Sequence, residues 1–259
     1  MLNLIRSDFY KLFRTKAFYI CGALAAIFSC LFGVVIINYT IAQFGGISAK
    51  SLGYDGVYAL TAGIVWANLL ITIMISMFIP NEFSYGTIKN IASKGVSRAS
   101  IYLSKIVIAV SVSAIYILVC AIVSFTTGSI MWGTGDLTRE VYLDIFRMLG
   151  LFLLVESTMQ CIYVMMGFFI RQTGGTVAAN LAIFIAMPDL IHLINFGIYS
   201  LLKVEDFDIS KYWPSTYLSK YTSLDILQED INVGMIVCAA YIVISILVGI
   251  FFFYKRDVK

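Results

Sequence analysis

The chain is short of charge, because only 13% of its 259 residues are Asp, Glu, Lys or Arg, whereas 60% are hydrophobic. A soluble domain carries about 25% charged residues, so this composition excludes an ordinary globular protein. The net charge of +3 is small and is spread without a basic face, which excludes nucleic acid as a partner. We therefore expect an all-α protein that is embedded in the lipid bilayer.

Residues typical of enzymes are also scarce. His192 is the only histidine, so a histidine-based dyad or triad has a single candidate, and no G-x-S-x-G accompanies it. The sequence contains no G-x-x-x-x-G-K-[ST], and therefore no P-loop for ATP. The five cysteines lie in apolar runs without the spacing of metal ligands. We expect no catalysis, no metal and no cofactor bound by this chain.

Six long apolar runs fill the chain, and a bilayer core requires about 20 apolar residues per helix. We therefore expect a single transmembrane domain over residues 1–259. Two prolines fall in these runs, and Pro80 is expected to end the second span and Pro188 to interrupt the fifth. The expected spans are Ala17–Ile37, Leu60–Pro80, Ile106–Thr127, Met148–Ile170, Gly174–Leu202 and Ile231–Tyr254.

Positive charge is divided unevenly between the two sets of loops. With six spans both termini lie on one side, and that side carries twelve of the 18 Lys and Arg residues. The positive-inside rule places this side, with both termini, in the cytoplasm. Most acidic residues fall on the other side, many of them in the outer segment 203–230.

Residues 2–16 precede the first span and alternate apolar and basic side chains at helical spacing. Phe9 and Phe13 belong to the apolar set, and Arg6 and Lys11 to the basic set. This pattern predicts an amphipathic helix lying along the inner membrane surface. A polybasic flank without a fixed shape is the alternative interpretation.

The loop between spans two and three, residues 81–100, is expected to contain a second short helix. Phe83, Ile88 and Ile91 would give this helix an apolar edge. Gly95 is expected to end it, and Ser97 to cap the helix that follows.

Polar residues inside the spans are candidates for function, because a charge without a partner is costly in a bilayer. Glu156, Gln160 and Tyr163 are expected to share one face of the fourth span. Two interpretations remain open: they line a polar cavity that contacts cargo, or they form a structural polar pair. Glu156 also supports an alternative function, ion-coupled secondary transport.

Small residues form a stripe along the fifth span, at helical spacing. Such stripes let helices approach closely, either within one protomer or across a dimer. The stripe consists of Gly174, Ala178, Ala182 and Ala186.

Three segments together carry a family resemblance. They are the start LIRSDFYKLFRTKAFY, the loop NEFSYGTIKNIASKGVSRASIYLSKI and the ending FFFYKRDVK. The specific pattern within the loop is E-x-x-x-G-T at Glu82, Gly86 and Thr87, followed by Ser97, Arg98 and Lys105. The segments resemble the permease subunits of type-2 ATP-binding-cassette (ABC) transporters, the small six-span kind of bacterial peptide and antibiotic export or immunity systems.

The resemblance implies a homodimer of permeases, in which the small-residue stripe is a candidate interface, docked on two copies of a separate ABC ATPase. The ATPase would bind the ATP and Mg. The implied cargo is amphipathic or hydrophobic, a peptide toxin or an antimicrobial peptide, and it would be exported across a bacterial cytoplasmic membrane.

The resemblance also assigns roles to the two short helices. The loop after span two would form a coupling helix in a groove of the ATPase, here at about Phe83–Ile91, with Glu82 at its N-terminus, where a negative charge suits the helix dipole. The implied coupling residues are Glu82, Phe83, Ser84, Tyr85, Gly86, Thr87, Ile88, Lys89 and Ile91. The implied ATPase contacts of the N-terminal helix are Arg6, Phe9, Lys11 and Phe13.

Overall fold

The structure, a computed structural model, describes residues 2–43, 56–65, 67–134, 138–202, 208–221 and 228–255. Within these ranges the regular elements are helices, and no strand is present. A 3₁₀ helix spans Ile209–Tyr212. The α-helices are α1 (Leu2–Arg14), α2 (Lys16–Gln43), α3 (Gly56–Ile64), α4 (Ala67–Ser84), α5 (Thr87–Ser93), α6 (Arg98–Trp132), α7 (Arg139–Ile170), α8 (Thr173–Leu202), α9 (Thr216–Lys220) and α10 (Gln228–Lys255).

Five segments in the described part of the chain are long and apolar enough to cross a membrane. A sixth is added if α1 and α2 form one bent span, since they meet at an angle of 66°. The prediction of an all-α polytopic membrane protein is therefore confirmed, and the count of six spans stays a prediction. The five segments are Ala59–Ser84, Arg98–Trp132, Arg139–Ile170, Thr173–Ser200 and Gln228–Lys255.

Helix α6 is central to the bundle, where it packs against α2, α3, α7 and α1. Its inward face buries Ile108, Val112 and Tyr116 almost completely. Helices α8 and α10 lie at the rim: α8 packs mainly on α4, and α10 mainly on α7. The rim helices keep most of their apolar surface exposed, as expected of helices that face lipid or another protein.

Two prolines lie inside helices, so the expected helix breaks are wrong. Helix α4 continues past Pro80 to Ser84, and α8 continues past Pro188 to Leu202. A proline removes one backbone hydrogen bond, but in a membrane bundle the neighbouring helices re-satisfy the freed group. Because α4 extends further than expected, the loop that follows it is shorter.

Helix α5 is bounded by two glycines in the left-handed region, which favours glycine. Gly86 has φ +67° and Gly95 has φ +80°. The expected range Phe83–Ile91 is wrong at both ends, since α5 spans Thr87–Ser93. The predicted stop at Gly95 is confirmed, and so is the cap at Ser97, whose hydroxyl accepts a hydrogen bond from the Ser100 N–H at 3.2 Å.

Candidate functional site

Four charged side chains meet at the end of the bundle where α1 and α5 lie, which we call the α5 end. Lys105 Nζ, from α6, lies 2.8 Å from Asp8 Oδ1 of α1 and 2.5 Å from Glu82 Oε2 of α4. Lys11 Nζ, from α1, lies 3.4 Å from Asp8 Oδ1 and 3.2 Å from Glu82 Oε1. Each carboxylate is thus bridged by both ammonium groups. These four residues are the charge network.

The charge network is withdrawn from solvent. The side chains of Asp8 and Lys105 are 0% exposed and that of Glu82 is 7% exposed, whereas Lys11 is 32% exposed. The Ser104 hydroxyl also donates to Asp8 Oδ2 at 3.0 Å. Burying an ion costs several kcal/mol, and only close pairing offsets that cost. The two opposite pairs cancel in charge, so the network is neutral as a unit.

The charge network joins three helices, α1, α4 and α6, that are far apart in sequence. Glu82 belongs to the last turn of α4, and its carboxylate points to Lys11 and Lys105. The expected role of Glu82 at the N-terminus of the coupling helix is therefore wrong. The residue before α5 is Gly86, and it provides no side-chain cap.

Sequence reasoning assigned no site role to Asp8, Ser104 or Lys105, although Lys105 belongs to the pattern that carries the family resemblance. One signal for Asp8 was present: it shares a helix face with Leu4 and Leu12, four residues away on either side, and Leu12 is fully buried. An acid on the apolar face of a helix needs a cation from a neighbouring element. Nothing in the sequence identified Lys105, 97 positions further along, as that cation.

An aromatic cluster lies beside the charge network and joins four helices. The ring centroids of Phe83 and Phe168 are 5.2 Å apart, and those of Phe168 and Phe253 are 5.0 Å apart. Tyr102 packs edge-on against Phe168 at 4.9 Å. These rings come from α4, α7, α10 and α6, so the cluster fixes the ends of the long helices near α5.

Two arginines cover the aromatic cluster. Arg98 Nη1 donates to the carbonyls of Phe253 and Tyr254, both at 2.9 Å. This contact satisfies carbonyls in the last turn of α10 and places a cation at the negative end of its dipole. The Arg171 guanidinium lies 5.1 Å from the centroid of the Phe83 ring. The loop that contains α5 is therefore tied to the end of the last helix.

The exposed surface of α5 is small and polar. Ile88 is fully buried and anchors α5 to the bundle, whereas Tyr85, just before α5, is 79% exposed. Lys89 and Asn90 are also exposed. The predicted coupling residues thus divide into three sets. Glu82, Phe83, Ile88 and Ile91 pack into the bundle, Ser84, Tyr85 and Lys89 point away from it, and Gly86 and Thr87 are half-buried.

The predicted contact residues of α1 divide in a similar way. Arg6 and Phe13 are exposed and Phe9 is half-buried. Lys11 is engaged by the charge network.

Glu156 and Gln160 lie together inside α7. Gln160 Nε2 donates to Glu156 Oε1 at 2.7 Å, and both side chains are buried. Tyr163 is buried on the same side of α7 and interacts with Thr72 of α4. Among the described residues, no Lys or Arg forms an ion pair with Glu156. A role of these residues in a cargo cavity stays a prediction.

The small-residue stripe of α8 points away from the protomer. Its four residues, from Gly174 to Ala186, are exposed in the single chain. The opposite face of α8 packs into the bundle, where Asn180 Nδ2 donates to Ser76 Oγ of α4 at 2.7 Å. The stripe is therefore not used for packing within the protomer.

The chain matches a family of known proteins over most of its length. Residues 4–189 match the family described as ABC-2 family transporter protein. No curated protein matches the chain significantly. The matched range contains the whole charge network, α5 and the small-residue stripe, and it covers well over half of the sequence. The chain therefore belongs to the ABC-2 transporter family, as the membrane-embedded subunit of an ABC transporter.

Proposed function

We propose that this protein is the permease of an ATP-driven exporter in a bacterial cytoplasmic membrane, with both termini in the cytoplasm. The family implies an ABC ATPase as partner, and the ATP and Mg belong to that partner. The observation that supports the proposal most directly is the charge network, because it connects the two surfaces suited to an ATPase, α1 and α5, to the spans.

The coupling step follows from how α5 is held. Ile88 anchors α5 in the bundle, and the end of α4 just before it is fixed by Glu82 in the charge network. Asp8 brings α1 into the same network. A force applied by the ATPase to α1 or α5 would then move α1, α4 and α6 together, as a rigid body, instead of bending a loop.

The cargo proposed is amphipathic or hydrophobic, a peptide toxin or an antimicrobial peptide. The spans support this class because they offer few fixed charges to a hydrophilic solute, with Glu156 buried beside Gln160. The proposal that the cargo is a peptide comes from the family resemblance, and the composition of the spans is compatible with a peptide cargo.

The permease is proposed to act as a homodimer that holds two ATPase copies. The exposed stripe of α8 supports this arrangement, because small residues let two helices pack closely in a bilayer, where van der Waals contact replaces the hydrophobic effect. Ala178 and Ala182 lie at its centre.

Co-purification from the native membrane tests the ATPase partnership. We expect a P-loop ATPase to accompany the wild-type permease and to be lost in the variants Tyr85→Ala and Lys89→Glu. Lys211→Glu changes an exposed lysine in the outer segment and is the matched control, which should keep the ATPase. A permease that is purified without any ATPase and still transports would refute the proposal.

Ion-coupled transport is a second candidate, supported by the buried carboxyl of Glu156. It requires a titratable group inside the membrane that loads and releases an ion. The variant Glu156→Gln would abolish such transport, and ATPase removal would not affect it. Under the exporter proposal, by contrast, removal of the ATPase stops transport.

A further inference from the structure

A cavity of about 320 Å³ opens beside the charge network, between α1, the start of α2 and the end of α4. One part of its wall is apolar, and the other is polar. The apolar part consists of Ala17, Met74, Met77 and Phe78, and the polar part includes Lys11, Asn81, Glu82 and Thr87. The cavity therefore fits a molecule with an apolar chain and a polar head.

Helices α1 and α2, which border the cavity, expose three cations, and the acid that lines the cavity, Glu82, is paired in the charge network. Arg6, Arg14 and Lys16 are exposed, and the only acid among residues 2–20, Asp8, is buried in the charge network. Lys16 stands between Thr15 and Ala17, which both line the cavity. A basic segment next to a membrane span attracts anionic lipid, at about 1 kcal/mol per Lys or Arg.

We propose that this cavity binds one acyl chain of an anionic phospholipid, whose headgroup lies at Lys16. The apolar wall, to which Ala17, Met77 and Phe78 contribute accessible surface, receives the chain. The exposed cations of α1 and α2 select the headgroup charge. The leaflet rests on the proposed function: with α1 on the cytoplasmic side, the lipid comes from the inner leaflet.

The position of the lipid has a consequence for coupling. The cavity is lined by two members of the charge network, Lys11 and Glu82, and by Thr87, the first residue of α5. A bound chain would fill the space between α1 and α4 on one side of the network. Anionic lipid would therefore stabilise the charge network, on which ATPase coupling depends.

Native mass spectrometry of the purified permease tests the site. The protein is exchanged into detergent with phosphatidylglycerol or with phosphatidylcholine, and retained lipid is counted. We expect one phosphatidylglycerol per wild-type protomer, and its loss in Ala17→Trp, which fills the cavity. Ala23→Trp is the matched control, because Ala23 is exposed on the same helix and should leave the lipid bound.

A charge variant tests the headgroup and does not alter packing. Lys16→Gln is expected to reduce the preference for phosphatidylglycerol over phosphatidylcholine about fivefold, the equivalent of about 1 kcal/mol. Lys94→Gln, an exposed lysine at the end of α5, should leave the preference unchanged.

Three results would overturn the lipid site: equal retention of both lipids by the wild type, unchanged retention in Ala17→Trp, or unchanged preference in Lys16→Gln. If Ala17→Trp kept its lipid but lost the ATPase, the cavity would belong to the ATPase contact. Lipid retention requires no ATPase, so this test can fail while the exporter proposal holds, and the exporter proposal can fail while lipid binding holds.

Discussion

At the scale of single residues, Lys105 is the member of the charge network whose removal should destabilise the protein most. Its ammonium is fully buried and contacts both carboxylates of the charge network. Removing it leaves Asp8 and Glu82 close to each other with only Lys11 to balance them. Breaking a buried pair by removing one partner costs more than the pair itself contributes, because the remaining charge has no compensation.

We therefore expect Lys105→Met to lower the free energy of unfolding by about 3–5 kcal/mol. Denaturant titration in detergent, followed by circular dichroism, measures it. The double variant Asp8→Asn with Lys105→Met removes one charge of each sign and should recover part of the loss. Lys89→Met, on the exposed side of α5, is the control. An unchanged midpoint for Lys105→Met would show that the network is not a structural joint.

Phe253 offers a second test at this scale, with its control on the same helix. The Phe253 side chain is 2% exposed and belongs to the aromatic cluster, whereas Phe251 is 60% exposed. Truncating a buried phenylalanine to alanine costs about 3–5 kcal/mol through lost contacts and a cavity. Phe253→Ala should therefore unfold at lower denaturant than wild type, and Phe251→Ala should not. Equal midpoints would contradict the role given to the cluster.

At the scale of elements, the 3₁₀ helix Ile209–Tyr212, in the segment that we propose to lie outside the membrane, is held by one carboxylate. Asp208 Oδ1 accepts hydrogen bonds from the Ser210 N–H at 2.9 Å and from Asn195 Nδ2 of α8 at 2.7 Å. Hydrogen bonding from Ser210 is the main cause that lowers the pKa of Asp208 from its ordinary value of 3.8. Because the pKa of Asp208 is lower in the folded protein than in the unfolded chain, its ionised carboxylate stabilises the fold fully at pH values above about 3.8. This stabilisation is lost as the pH falls through the lowered pKa of the folded state.

We therefore expect the outer 3₁₀ helix to loosen from α8 when the pH is lowered below about 3.8, and to remain attached at higher pH. Trp213, at the end of this helix and 9% exposed, reports the change by its fluorescence if Trp66 and Trp132 are replaced by phenylalanine. Asp208→Asn should remove most of this pH dependence. If the two proteins followed the same acid profile, Asp208 would not be the group that holds the segment.

The limits of sequence-based prediction are clearest at the element scale. Apolar length located the long helices, and the glycine and serine signals located the end of α5 and the start of α6. The positions of Pro80 and Pro188 were misjudged, because a proline penalty derived from helices in water is reduced where neighbouring helices satisfy the backbone. Helix α5 consequently starts four residues later than expected.

The charge network shows why the site itself was only partly predictable. Glu82 and Lys105 both belong to the pattern that carries the family resemblance, but their pairing with each other and the participation of Asp8 were not predicted. Pairing between α1, α4 and α6 depends on how three helices are arranged in space, and hydrophobic periodicity within one helix contains no information about that arrangement. Glu156 and Gln160 are the contrasting case, because their contact lies within one helix and was predictable from their spacing of four residues.

At the scale of the whole molecule, the exposed stripe of α8 predicts how two copies associate. A tryptophan at Ala182 would hold two α8 helices apart, so Ala182→Trp should shift the purified permease from dimer to monomer. Leu190→Trp, at an exposed position of the same helix, should remain dimeric. Size-exclusion chromatography with light scattering measures the mass of each protein, and a monomeric wild type or a dimeric Ala182→Trp would contradict the proposed interface.

The central claim is that ATPase movement reaches the spans through the charge network. The most direct measurement is the distance between spin labels on the two copies of Tyr212, an exposed residue of the outer segment, in a cysteine-free permease bound to its ATPase. We expect ATP, Mg and vanadate to change this distance in the wild type. The same addition should leave it unchanged in the Asp8→Asn, Lys105→Met variant, although the ATPase stays bound. An equal change in both proteins would show that ATPase movement reaches the spans by a route other than the charge network.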